Sequence, residues 1–195
     1  FPHRHYPRLI KKNKIAAVEI HSKFLNSKYG NEFNYSFVEK DIQIINSYAV
    51  LSYSNKINLS IVDSQINDYG FYYNTITLRN AYDVFLLSEK TNAKEAVNNL
   101  KTLSIPLNCF LATCYEVFNS IDSLQFNNTK KTTSYLKIFN SQFLNPQKFK
   151  RHINRVKIYL SIKSTLNFYF KCIFYGEYRS LLFLRLIDRS WRKEK

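Results

Sequence analysis

The chain has 195 residues, and 45% of them are hydrophobic, which is enough for one substantial core and too few for two full domains. Its 29 lysines and arginines outnumber its 14 acidic residues, so the formal net charge is +15. Such an excess argues against an ordinary cytosolic enzyme and indicates a polyanionic partner. Nucleic acid is the first choice and an anionic membrane surface the second.

Residue usage points to a compartment rather than to a fold. The chain is crowded with Asn, Lys, Ile, Phe and Tyr, and it holds only three glycines and four prolines. An A+T-rich coding genome produces this bias, and organellar genomes are a common source of it. Methionine is absent, also at position 1, so we expect the sequence to be part of a longer product.

The residues typical of metal, nucleotide and catalytic sites are scattered. Cys109, Cys114 and Cys172 have no Cys-x-x-Cys spacing, which predicts inert thiols rather than a metal site or disulfides. The glycines are too dispersed to form a phosphate-binding loop, and no Ser/His or His/Asp/Glu cluster is visible. We therefore predict no metal, no cofactor and no enzymatic activity.

The N-terminal half predicts a basic arm followed by mixed secondary structure. Residues 1–14 carry two prolines, two histidines and five cations, which favours an extended arm that lies against a polyanion; the alternative is a disordered end. Helical spacing predicts a helix over 15–27 with a left-handed glycine cap at Gly30. It also predicts a second helix over 32–51, in which Ile44-Ile45 and the run from Tyr48 to Leu51 could instead be extended. Residues 57–63 and 71–78 favour strands.

The centre of the chain predicts a strand, a helix and a second strand. Residues 84–87 form an unbroken apolar run, and residues 107–112 form another. Between them, residues 92–103 have helical spacing, and Pro106 is expected to end that helix. A strand, a crossover helix and a second strand belong to a parallel sheet. We therefore predict an α/β fold: a parallel sheet flanked by helices in a Rossmann-like three-layer arrangement, with a basic N-terminal arm and a helical C-terminal extension.

The same residues resemble a known family. The order Tyr82-Asp83, four apolar residues, Glu95, Leu100 and Ser104-Ile105-Pro106 is similar to the C-terminal core of the S-two family of small-subunit ribosomal proteins, in which a glycine stands at the position of Ser104. Residues 121–128 and the helix predicted from Thr129 continue the likeness. The resemblance implies a protein without catalysis that binds small-subunit ribosomal RNA at the junction of head and body, beside other ribosomal proteins.

The last third of the chain carries most of the candidate RNA contacts. A helix predicted over 129–143 has two lysines in its first turn, where the macrodipole disfavours cations. A helix predicted over 147–162 combines an apolar face, able to pack on the sheet, with a positive stripe. Together with the arm and the C-terminal tail, these segments supply the predicted RNA-binding residues: Arg4, Arg8, Lys11, Lys12, Lys14, Lys130, Lys131, Lys148, Lys150, Arg151, Arg155, Lys157, Arg189, Arg192 and Lys193.

These observations predict three regions: a basic arm over 1–14, an α/β domain over 15–145 and a basic helical extension over 146–195. The leading hypothesis is a structural protein of the small subunit of a mitochondrial ribosome, which binds RNA by neutralising phosphates and by shape. The alternative is an accessory subunit of an organellar membrane complex, with residues 166–187 as an interfacial helix. Four ionisable groups in that segment argue against a transmembrane span.

Overall fold

The structure is a computed structural model that describes residues 9–10, 17–18, 21, 23–25 and 28–187. The chain divides into two compact units: a body that ends at Leu144 and a C-terminal unit that begins at Asn145. The predicted arm lies outside the described residues except for Leu9 and Ile10, and so does most of the helix predicted over 15–27.

The described strands form two small antiparallel hairpins. Strand β1 (Leu9–Ile10) pairs with β2 (Ala17–Val18), and β3 (Gln43–Ile45) pairs with β4 (Tyr48–Val50). Asn46 and Ser47 both have positive φ, which gives the second hairpin the turn that matches the twist of two adjacent strands. The helix predicted over 32–51 is therefore wrong from Gln43 onward, where the extended alternative at Ile44-Ile45 and from Tyr48 is confirmed.

Helices build the rest of the body. Their bounds are α1 (Tyr35–Val38), continued by a 3-10 turn (Glu39–Asp41), α2 (Tyr53–Val62), continued by a π-helical turn (Asp63–Asn67), α3 (Gly70–Tyr73), α4 (Leu78–Ser88), α5 (Ala93–Asn98), α6 (Ser104–Val117), a 3-10 turn (Asp122–Leu124) and α7 (Lys130–Phe143). Short polar side chains begin several of them. Ser52, Asn92 and Thr129 each accept a hydrogen bond from a backbone N–H in the first turn of α2, α5 and α7.

The predicted parallel sheet is wrong. Residues 84–87 lie inside α4, and residues 107–112 lie inside α6, so no strand–helix–strand unit exists there. An apolar run cannot distinguish a buried strand from a buried helix. Helix α6 is buried continuously from Pro106 to Cys114. Pro106 does not end a helix; it lies in the first turn of α6, where no hydrogen bond is lost by its missing N–H.

Three further local predictions are corrected in the same way. Residues 57–63, read as an alternating strand, belong to α2 and the start of its π-helical continuation. Residues 71–78 form the end of α3, a short connection and the first residue of α4. Gly30 is not a left-handed cap, because none of the three glycines has a positive φ. By contrast, the apolar face predicted over 92–103 is buried as expected, although α5 ends at Asn98.

The core of the body is centred on α6. This helix packs against α5 and α7, while α2 packs against α4 and α5. Phe110, Leu107 and Leu111 are fully buried among these helices. Among the described residues of the body, the core therefore lies between helices and has no sheet layer.

Polar contacts fix the connections around that core. The carboxylate of Glu32 accepts the backbone N–H groups of Thr102, at 2.6 Å, and Leu103, at 3.2 Å, and so satisfies donors at the start of α6. Asn108, buried in α6, exchanges two hydrogen bonds of 2.7 and 2.8 Å with the backbone of Asn127. These bonds fix the loop that leads into α7.

The C-terminal unit contains α8 (Pro146–Phe174) and α9 (Gly176–Ile187), which pack against each other. Asn145 caps α8 by accepting the N–H of Lys148, and Pro146 takes the first helical position. At the other end, the guanidinium of Arg179 donates to the carbonyl of Ile173 at 3.0 Å, which satisfies an acceptor at the end of α8. The helix predicted over 147–162 is confirmed and is longer than expected.

Candidate nucleic-acid interface

The excess charge of the chain is confined to its ends. Residues 15–144 contain eleven Lys or Arg and eleven Asp or Glu, so this segment is neutral. Residues 1–14 contain five cations and no acid, and residues 145–195 contain thirteen cations and three acids. Any partner attracted by the net charge of +15 is therefore attracted to the two ends of the chain.

Helix α8 displays this charge on an ordered scaffold. It carries seven Lys or Arg and no Asp or Glu. Lys148, Arg151 and Arg155 lie three and four residues apart, so they share one face of the helix, and all three are exposed. Lys150 and Lys157 are also exposed and lie on another face. We name Lys148, Arg151 and Arg155 the cationic row.

The cationic row is unfavourable for the helix that carries it. Each pair of like charges three or four residues apart destabilises a helix by about 0.2–0.5 kcal/mol. The row also lies in the first turns of α8, near the positive end of the macrodipole, and the first turn contains no acidic residue. An external anion along this face would offset both effects. The arrangement thus has the electrostatics of a phosphate-binding surface.

The remaining predicted RNA-binding residues have different surroundings. Lys130 and Lys131 are exposed in the first turn of α7, in the neutral body. Lys131 Nζ lies 5.7 Å from the ring centroid of Phe71, so a cation–π contact within the body accounts for that lysine without a ligand. Eight predicted residues lie outside the described part of the chain: Arg4, Arg8, Lys11, Lys12, Lys14, Arg189, Arg192 and Lys193.

Sequence reasoning missed a second feature of α8. Five apolar residues continue the cationic row along the same face at intervals of four, four, three and four residues: Ile158, Ile162, Leu166, Tyr169 and Ile173. Each of them is between 52% and 67% exposed. We name them the apolar row. Their helical spacing was visible in the sequence, but such spacing normally marks a face that packs on a core.

Some side chains of α8 contact α9. Lys171 Nζ donates to the hydroxyl of Tyr178 at 3.3 Å and lies 5.1 Å from the centroid of its ring. Phe168 meets the same ring edge-on, at 6.1 Å between centroids. Lys171 therefore contributes to packing within the C-terminal unit.

Burial affects the chemistry of two of the cysteines. All three are free and buried. Burial raises the pKa of Cys109 to about 12, and burial also raises the pKa of Cys114. The pKa of Tyr135 is raised by burial too, and its hydroxyl donates to the carbonyl of Thr75 at 3.3 Å. At neutral pH these groups stay protonated, so neither thiol is a ready nucleophile.

An open cleft of about 780 Å³ lies in the body between α2 and α4. Lys56, Asp63, Arg79 and Asp83 bring charges of both signs to its walls. Its serine, Ser60, donates to the carbonyl of Asn80 at 3.4 Å and not to a base. This hydrogen bond joins α2 to α4. Among the described residues, no three His, Cys, Asp or Glu side chains are close enough to hold a metal ion.

No family model, no curated protein and no solved structure matches the chain. Within the described part of the chain, none of the helices combines the length and the hydrophobicity needed to cross a bilayer.

Proposed function

We propose that the protein is a structural RNA-binding component of a ribosome, and that the ribosome is mitochondrial. The observation that supports this most is the confinement of the charge: the segment over 15–144 is neutral, while α8 carries seven cations and no acid. Lysine and arginine on such a helix neutralise phosphates and release counterions, a mode of binding that needs no base contacts. The A+T-driven composition supports the compartment.

The segments that carry the S-two resemblance do not have that family's secondary structure. That family's core requires a strand at residues 84–87 and another after Pro106, and both segments are helical here. The small subunit was implied by that resemblance alone. The cationic row supports an RNA-bound scaffold of either subunit, and sedimentation with separated subunits decides between them.

Removal of the cationic row tests the RNA-binding role directly. The variant Lys148→Gln, Arg151→Gln, Arg155→Gln removes three exposed charges from α8, and the control Lys40→Gln, Lys90→Gln, Lys101→Gln removes three exposed charges from the body. We expect the first variant to bind a folded RNA hairpin more than about tenfold more weakly. We also expect the slope of log affinity against log salt to fall by about three, whereas the control leaves both unchanged.

Two outcomes would contradict the proposal. One is an RNA affinity that does not vary between low and moderate salt, because phosphate neutralisation requires that dependence. The other is an equal loss of affinity in the two variants, because it would show only a response to net charge.

The second candidate function is an accessory subunit of an organellar membrane complex. The exposed Phe183 and Leu184 of α9, which lie in the segment predicted to be interfacial, favour it. Fractionation of detergent-treated mitochondria separates the two: sedimentation with a ribosomal subunit supports the ribosomal function, and retention in a membrane complex supports the second.

A further inference from the structure

The apolar row is unusual for the surface of a protein without a bound partner. Five large apolar side chains, Ile158, Ile162, Leu166, Tyr169 and Ile173, lie along one face of α8, and each is more than half exposed. With 1.5 Å of rise per residue, they extend over about 22 Å. Contiguous exposed apolar surface of this kind marks a place where another molecule binds.

The spacing of the row resembles a seam between helices. From Ile162 the intervals are four, three and four residues, which is the alternation that keeps apolar side chains facing a partner helix. Phe170 and Phe174 adjoin the row and are also exposed, at 61% and 63%. A helix laid along this face could therefore bury two heptads of apolar side chains.

Charge argues against a second copy of the chain as the occupant. In a parallel pair, each cationic row would face its own copy, and like charges repel. In an antiparallel pair centred on α8, Lys148, Arg151 and Arg155 would face the apolar row of the other copy. Both arrangements bring together two helices that have seven cations and no acid each.

The row also fits a bilayer surface poorly. A helix that lies in the interface places its apolar face below the headgroups along its length. The cationic row occupies the same face of α8 as the apolar row, directly before it, so insertion at one depth would carry three charges toward the hydrocarbon. A partner helix can cover the apolar row alone, because it can end where the cationic row begins.

We propose that the apolar row docks one amphipathic helix of a partner protein, and that the residues beside the apolar seam of that partner are acidic. Acidic flanks complement a helix without carboxylates of its own and steer the encounter. RNA on the cationic row and a protein helix on the apolar row would then occupy successive lengths of one face. This inference goes beyond RNA binding and concerns different residues.

The test uses the full chain and a synthetic helical peptide of about three heptads with leucine at its seam positions and glutamate beside them. A second peptide has lysine in place of each glutamate. The variant Ile162→Asp, Leu166→Asp is compared with Ser164→Asp, Asn167→Asp, which adds the same two charges at exposed positions of α8 outside the row. Binding is measured by titration calorimetry, and thermal unfolding checks that both variants are folded.

We expect the glutamate peptide to bind saturably and the lysine peptide to bind weakly. The affinity for the glutamate peptide should fall more than tenfold in the Ile162/Leu166 variant and should change little in the control. RNA affinity should be the same in both variants, so failure here is distinguishable from failure of the RNA-binding function. Equal binding to both variants, or no binding, overturns the proposal. Self-association abolished by Ile162→Asp, Leu166→Asp would identify a second copy as the occupant. Binding to vesicles of phosphatidylcholine and phosphatidylserine that the same variant abolishes would identify lipid as the occupant. Either result overturns the proposal.

Discussion

The body and the C-terminal unit use their side chains in opposite ways. From residue 15 to Leu144 charges balance, and the centre of α6, with Leu107, Phe110 and Leu111, is buried. From Asn145 onward cations outnumber acids by ten, and α8 exposes both charge and apolar surface. Side chains that satisfy one another stabilise a fold. Side chains left exposed at this density indicate partners. Variants of the body should therefore change stability, and variants of α8 should change binding.

The largest effect is expected from the centre of the body. Phe110→Ala removes a fully buried ring from α6 and should lower the free energy of unfolding by about 3–5 kcal/mol. Phe143→Ala is the matched control, because that ring is 81% exposed at the end of α7. Chemical denaturation measures both. A similar loss in the two variants would show that α6 is not the core of the body.

Alkaline pH should destabilise the body through its buried thiols. Since burial raises the pKa of Cys109 and of Cys114, each thiol favours the folded state below its ordinary pKa of about 9.0. That contribution is lost as pH rises toward the folded-state values, by up to about 1.4 kcal/mol per thiol and pH unit. The double variant Cys109→Ala, Cys114→Ala should flatten the dependence between about pH 9 and 10. An unchanged slope in denaturation experiments would contradict this account.

A smaller effect is expected from the polar contact between α6 and the loop before α7. Asn108→Ala leaves the backbone N–H and C=O of Asn127 without the partners that Asn108 provides. The expected loss is about 1–3 kcal/mol of stability. Asn154→Ala, an exposed position of α8, should change stability by less than about 0.5 kcal/mol. If both variants behaved alike, the contrast between the two units would not hold for polar residues.

The sequence predicted which residues are buried better than it predicted their secondary structure. The face formed by Ala93, Ala96, Val97, Leu100 and Leu103 is buried as expected. The runs over 84–87 and 107–112 were assigned to strands because continuous apolar residues fit a strand covered on both faces. Length gives the better criterion: the buried run of α6 extends from Pro106 to Cys114, which is longer than the roughly 4–8 residues of a buried strand.

The sequence identified only part of the candidate site, for a related reason. Charge and helical spacing identified Lys148, Lys150, Arg151, Arg155 and Lys157, and α8 exposes all five. The same spacing in the apolar row fits a buried face as well as an exposed one, because periodicity shows which residues share a face and not what covers it. Only the exposure of Ile162 and Leu166 in the structure separates these possibilities.

The smallest predicted effect sharpens the comparison at the first residue of the C-terminal unit. Asn145 accepts the N–H of Lys148 at 3.0 Å, and Asn145→Ala should cost the start of α8 about 1 kcal/mol, seen as faster amide exchange over residues 147–151. Asn145→Asp keeps the cap and adds a negative charge near the N-terminus and the cationic row, which stabilises the helix.

The two changes at Asn145 should affect RNA binding differently from helix order. Asn145→Ala weakens binding slightly because Lys148 and Arg151 lose part of their fixed geometry. Asn145→Asp orders the helix and still weakens binding, because its carboxylate repels phosphate near the cationic row, and added salt should reduce this loss. If RNA affinity instead followed helix order in both variants, the cationic row would act through the fold of α8 rather than through direct contact with phosphate.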